Sequence, residues 1–237
     1  MNSTFLSAEW RKLILANYSV DPAILQPYLP ARTELDIWNN TCYVSVVGFR
    51  FMYSKIKGLP IPFHSSFPEV NLRFYVRYKD AGKWKAGAVF IKEMVPKPAV
   101  TMVANTLFRE HYVTVPMDYT WNEHDDNLGI AYRWKKNDVW NSVSVQAGTQ
   151  LLDMPVGSEA EFMTEHYWGY TQLSPNQTSE YAVEHDRWQT YPIRDYVMDI
   201  NFHDSFGHEF GYLAHEKPTS VFLAEGSSVR VGDGRRI

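Results

Sequence analysis

The chain is expected to be mainly β with a few short helices, and three observations point that way. Runs rich in β-branched and aromatic residues recur at short spacing. Clusters of turn-forming residues separate them. Few stretches carry a helical period. Many strands with few helices predict a barrel or a sandwich. An all-β chain of 237 residues is commonly one domain, so residues 1–237 are expected to form a single unit.

Taken in order, Trp10-Arg11-Lys12-Leu13-Ile14-Leu15 opens as a strand. Strict alternation puts Arg11 on one face with Leu13 and Leu15, where its charge needs a partner. A structural ion pair and an anion-binding role both fit. Asp21-Pro22-Ala23 starts a helix, with Asp as N-cap and Pro at the first helical position. Pro27 and Pro30 keep it short. Tyr43 to Phe49 and Val70 to Val76 are strands, and Lys79-Asp80-Ala81-Gly82 turns the chain into Ala88 to Ile91. Pro98 to Phe108 places Val100, Val103, Ala104 and Leu107 on one helical face. Ile130 to Trp134 and Trp140 to Val145 flank the turn Lys136-Asn137-Asp138. Ser158-Glu159-Ala160-Glu161 is a capping box before a short helix. Val197 to Phe202 and Ser220 to Val231 are strands, and Gly232 to Arg236 is expected to fray.

Two segments carry chemistry. In the strand from Glu69 to Arg77, residues Glu69, Asn71, Arg73, Tyr75 and Arg77 share one face. Val70, Leu72, Phe74 and Val76 share the other. The polar face is either solvated or lines a polar cavity in which Glu69 and Arg73 orient each other or a ligand. Further on, Glu165 to Thr171 and Glu180 to His185 form a hairpin around Ser174 to Ser179. With an even loop, His166, Trp168 and Tyr170 sit beside Tyr181 and His185. That face is too aromatic for a solvated surface and too polar for a plain core, which suits the wall of a small-molecule pocket.

Composition narrows the classes. With 45% hydrophobic and 15% aromatic residues, the chain can build a sizeable core. A net charge of −4 without long charge runs argues against nucleic acid and against a polybasic membrane patch. No stretch approaches the roughly 18–20 apolar residues of a membrane span. The opening Met1 to Leu6 has no basic region ahead of a long apolar run, which argues against a secretory signal. The single cysteine, Cys42, allows no intrachain disulfide and fits a reducing cytoplasm; it reads as a buried small hydrophobe. Nucleotide-binding glycine motifs, the G-x-S-x-G elbow, H-E-x-x-H and C-x-x-C are absent. His203, His208 and His215 lack a known ligand spacing, so no metal and no cofactor is expected.

Three segments resemble a known family. Glu69-Val70-Asn71-Leu72-Arg73, Glu165 to Tyr170 and Ser220 to Ser227 are similar to the YqjF-like family of uncharacterised bacterial proteins, with the match running from about Phe5 to Val231. That family is related more remotely to acetoacetate decarboxylase. The resemblance implies a closed, cone-like antiparallel β-barrel with a central cavity. Residue by residue, Arg11 answers to the decarboxylases' early arginine, and Glu69 in Phe67-Pro68-Glu69 answers to their cavity glutamate. Lys97-Pro98-Ala99 aligns with the start of their helix, and His111 and Tyr112 fall where their two lysines stand. Imidazole and phenol cannot form the imine through which a lysine draws off electrons, so the resemblance argues against Schiff-base decarboxylation here.

Two functions follow as expectations. One is a binder of a small organic acid, carbonyl or aromatic compound, with Arg11 and Arg73 holding an anionic group, Trp168 and Tyr170 covering an apolar part, and His166 and His185 beside them. The other is an acid/base enzyme acting on a carbonyl compound through a His/Glu pair, with Glu69 and His111 as its catalytic groups. Exposed-looking aromatics leave room for a homo-oligomer.

Overall fold

The computed structural model describes residues 4–60 and 62–237. Met1 to Ser3, part of the opening read above for a signal sequence, lie outside the described residues. Eleven strands carry the architecture. They are β1 (Thr4–Ser19), β2 (Tyr43–Ile56), β3 (Phe67–Asp80), β4 (Lys83–Val95), β5 (Met117–His124), β6 (Asn127–Lys136), β7 (Val139–Gly148), β8 (Trp168–Ser174), β9 (Gln177–His185), β10 (Ile193–Asp199) and β11 (Ser220–Gly232).

Strand pairing in the larger sheet runs β11–β1–β2–β3–β4–β8–β9, and Val183–His185 of β9 then pairs with Val229–Val231 of β11. Most pairings are antiparallel. The expectation of a purely antiparallel sheet is corrected at two places. Strand β8 meets β4 in parallel through Trp168↔Gly87 and Gly169↔Ala88, and the short strand Tyr112–Thr114 also runs parallel to β4. Parallel neighbours need a crossover. The helix Pro98–Leu107 supplies one, and three strands of the second sheet, β5 to β7, lie within the other.

The second sheet is four-stranded and antiparallel, in the order β10–β7–β6–β5. It packs on one face of the larger sheet. Ile14, Val44, Val46, Val70, Leu72 and Phe74 meet Ile130, Tyr132, Trp134, Val143 and Val145 in one buried cluster. Gly48 permits this close approach, because a Cβ there would lie 2.8 Å from the Tyr132 ring. The opposite face holds a second cluster, built on Leu13, Leu15, Val47, Phe49, Phe51, Phe67 and Tyr75.

Bulges decide which residues reach which face. Lys12 has φ 54°, and the β1–β2 register shifts between Arg11 and Ile14. The Tyr132 hydroxyl donates to the Lys12 carbonyl at 2.8 Å and pins the irregularity. Before the bulge, Leu6, Ala8 and Trp10 belong to the second cluster; after it, Leu13 and Leu15 do. One extra residue inverts the alternation. Arg11 therefore does not share a face with Leu13 and Leu15.

Three more expectations are corrected. The strand expected over Val197 to Phe202 is Ile193–Asp199, because Asn201 caps a new helix, Phe202–Phe206, by accepting from the Asp204 amide at 3.0 Å. The first hairpin strand begins at Trp168 rather than Glu165, since the helix Glu159–Thr164, capped by Ser158, ends just before it. The tail is not frayed. Arg235–Arg236 forms a short strand on β9, and the Arg235 Nε donates to Glu180 at 2.6 Å.

Candidate functional site

Residues of the second cluster surround a cavity of about 250 Å³. Apolar side chains make most of its wall, among them Leu13, Val47, Phe49, Phe51, Phe67 and Phe90. The helix Pro98–Leu107 lays Ala99, Val100, Val103 and Ala104 along one side. The partly exposed lining residues Phe5, Ile56 and His64 mark the opening.

Three glutamates interrupt this apolar wall. Glu69 comes from β3, Glu93 from β4 and Glu110 from the loop after the helix, and all are buried. Glu69 accepts from the Asn71 amide at 2.9 Å and from the Tyr112 hydroxyl at 3.0 Å. Glu110 accepts from Thr171 at 2.6 Å and Tyr181 at 2.7 Å. One oxygen each of Glu93, Glu110 and the Asn71 carboxamide is buried without a hydrogen-bond partner.

Burial drives the protonation of this cluster. It pushes the Glu69 and Glu110 carboxyls up to about 7, against the hydrogen bonds each accepts. Burial, then Glu110 and Glu69, hold Glu93 well above the ordinary range. Burial and the neighbouring glutamates likewise hold Tyr112 and Tyr181 far above the usual phenol range, so both remain donors. Near neutral pH the cluster is a partly protonated set of acids beside fixed hydroxyl donors, an arrangement able to give or take a proton.

The residues expected from the sequence divide sharply. Glu69 and Arg73 line the cavity; Arg73 spends Nη2 on the Met163 carbonyl at 2.9 Å, and its Nε has no partner. His111 does not line it. Its imidazole is exposed and contacts the Phe90 carbonyl at 3.2 Å. Alternation about His111 instead turns Glu110 and Tyr112 inward. Arg11 is held outside by Glu9 at 2.9 Å and Glu225 at 3.4 Å.

The hairpin face is also different from the one expected. The loop between Ser174 and Gln177 is even, but a bulge between Gln172 and Ser174 shifts the register, so Trp168 pairs with Ala182 and Tyr170 with Glu180. Gly169, Thr171, Tyr181 and Val183 therefore share the cavity face. Trp168 lies under Lys85, whose Nζ is 4.1 Å from its ring. Tyr170 is buried in the opposite cluster and reaches Glu180 at 3.2 Å. His166 packs between Tyr75 and Phe162, 3.4 Å from Asp36, and burial holds its imidazole below the ordinary range. His185 stacks on Trp188 and is lowered for the same reason. Neither lines the cavity.

Sequence reasoning missed Glu93 and Glu110 as companions of Glu69, whereas Tyr181, read on the pocket face of the hairpin, does line the cavity. A charge inside the apolar run Phe90-Ile91-Lys92-Glu93-Met94-Val95 was the available signal for Glu93. Among the described residues no cluster of three His, Cys, Asp or Glu side chains is arranged to hold a metal ion. No described helix is long and apolar enough to cross a membrane.

The two-sheet β fold is shared with solved structures of acetoacetate decarboxylase-like proteins. The chain belongs to the DUF2071 family of uncharacterized conserved proteins, whose model matches residues 7–228. It is 28% identical over 184 residues to the uncharacterized protein YqjF of Bacillus subtilis, covering 76% of this chain and 72% of that one. Acetoacetate decarboxylase from Legionella pneumophila superposes with a TM-score of 0.67 at 14% identity, covering 100% of this chain and 90% of that one. The enduracididine biosynthesis enzyme MppR, complexed with pyruvate, gives 0.69 at 15% identity, covering 100% and 91%. Identities this low establish the fold alone.

Proposed function

We propose that the protein binds a small organic molecule in this cavity, its apolar body against the phenylalanines and its polar head against the glutamate cluster. The carrying observation is that three buried carboxyls from three separate segments converge in a wall that is mostly apolar. Burying such groups costs stability. Functional sites are where that cost is commonly retained. The ring of strand pairings supports reading the larger sheet as the closed cone that the resemblance implies. MppR's bound pyruvate supports the same fold enclosing a small molecule. Among the described residues no lysine lines the cavity, so an imine has no lysine nucleophile there. Arg11 lies outside, which leaves Arg73 as the one arginine among the described lining residues and weighs against a carboxylate ligand.

A second reading, acid/base turnover of a carbonyl compound, is favoured by one pair. Glu69 is poised at about 7 with the Tyr112 hydroxyl 3.0 Å away.

A thermal-shift panel of ketones, alcohols, amines and carboxylates tests both. A ligand of the folded state raises the melting temperature. His111→Ala retains the shift and Glu69→Gln reduces it. A hit converted by the wild type and not by Glu69→Gln supports the second reading. Shifts insensitive to every lining substitution overturn the cavity as the site.

A further inference from the structure

We infer that the ligand's polar head is a cation, an alkylammonium or amidinium group on a short apolar body. This rests on the cavity being the ligand site and names what the site selects. Three acceptor atoms of the lining are left over, two of them on carboxyls. Asn71 spends its amide on Glu69 at 2.9 Å, and its own Oδ1 is buried without a donor. Glu93 and Glu110 each present one more unpartnered oxygen. The nearby hydroxyls of Tyr112, Tyr181 and Thr171 are already donating to Glu69 and Glu110.

Unpartnered donors stand beside them: the Arg73 Nε, the Ser54 hydroxyl and the Trp10 indole, the last among Phe49, Phe51 and Trp188. His64 stands at the opening with its Nδ1 on the Pro62 carbonyl at 2.7 Å. In charge terms three carboxyls face one guanidinium. An ammonium head carries up to three N–H donors, matching three open acceptors. Once ionised, the carboxylates attract it strongly in a poorly screened site. The phenylalanine faces around it add cation–π attraction.

Chemically, binding is an exchange. Protons on the glutamates leave to solvent, the ammonium takes their place, and no covalent bond to the ligand forms or breaks. Affinity for an ammonium then rises with pH through the range in which the glutamates lose their protons, by about tenfold per pH unit for each proton released.

Calorimetric titration of the full chain with n-hexylamine, 1-hexanol, 2-hexanone and hexanoate, at about pH 6 and about pH 8, reads this directly. The expected result is hexylammonium binding at least about tenfold more tightly than hexanol at the higher pH. Proton release, seen as a dependence on the buffer's ionisation heat, should accompany it. Glu93→Gln, which removes one buried charge and keeps the shape, weakens the amine more than it weakens hexanol. Hexanol or hexanone binding as tightly as the amine, or amine binding without proton release, overturns the cation and leaves the cavity reading standing. Failure of all four compounds overturns both. The wild-type pH dependence decides the matter even if the variant does not fold.

Discussion

The ring of Tyr181 lies against Gly169, so close that a Cβ built on the glycine would be 2.1 Å from the ring carbon bearing the hydroxyl. That hydroxyl donates to Glu110 at 2.7 Å. The glycine thus seats the ring, and the ring holds a glutamate of the cavity. Gly169→Ala forces the ring to move. Overpacking of this kind costs about 1–3 kcal/mol. The measurement is the denaturant midpoint; an unchanged midpoint would show that the ring has another seat.

Stability should rise as pH is lowered from about 8 to about 5. Glu69 and Glu110 have an ordinary value of 4.5 raised to about 7, and Glu93 is raised as well. Below the ordinary range both folded and unfolded chains hold these protons. As pH rises, the unfolded chain releases them first, so it binds fewer protons and folding loses free energy until the folded carboxyls also ionise. The swing is on the order of a few kcal/mol. Below about pH 6.5 His166 and His185, held below the ordinary imidazole range, oppose part of this rise, and at lower pH so do the arginine-paired Asp118 and Glu161, whose carboxyls are held below their usual range. Urea denaturation across this range should show the fall toward pH 8, and Glu93→Gln should flatten it.

Val103 faces the cavity from the helix Pro98–Leu107. Val103→Phe places a ring in the empty space. Filling it should raise the melting temperature by about 2–4 °C and abolish the shift caused by any cavity ligand. A ligand shift that survives would place the ligand elsewhere.

Glu180 is fully buried and bonded to Arg235 at 2.6 Å, Lys85 at 3.1 Å and the Tyr170 hydroxyl at 3.2 Å. Arg235→Ala removes one of its two cations and releases the short strand Arg235–Arg236. Losing a partner of a buried charge is costly even where the intact pair contributes little, so the loss should be about 1–2 kcal/mol. Thermal melts measure it, and faster proteolysis of the tail should accompany it.

Strand identity and the two faces of β3 were legible in the sequence, because Glu69, Asn71 and Arg73 alternate with Val70, Leu72 and Phe74 without interruption. The cavity's full membership was not. Lys12 and Leu173 carry no residue signature of a bulge, yet each irregularity inverts the alternation after it. Arg11, Trp168 and Tyr170 were assigned to a face they do not occupy for that reason alone. His111 failed by a single place, since its neighbours Glu110 and Tyr112 are the ones turned inward. The convergence of Glu69, Glu93 and Glu110 joins segments that only strand pairing brings together.

The bulges at Lys12 and Leu173 behave as phase shifters. Inserting or deleting one residue at either would exchange the wall-forming side chains of that strand or its hairpin partner with their outward neighbours, while composition changes by a single residue. A family built on such a sheet can rewrite the chemistry of its interior through the length of a strand, so descendants with nearly identical residue content need not share a ligand.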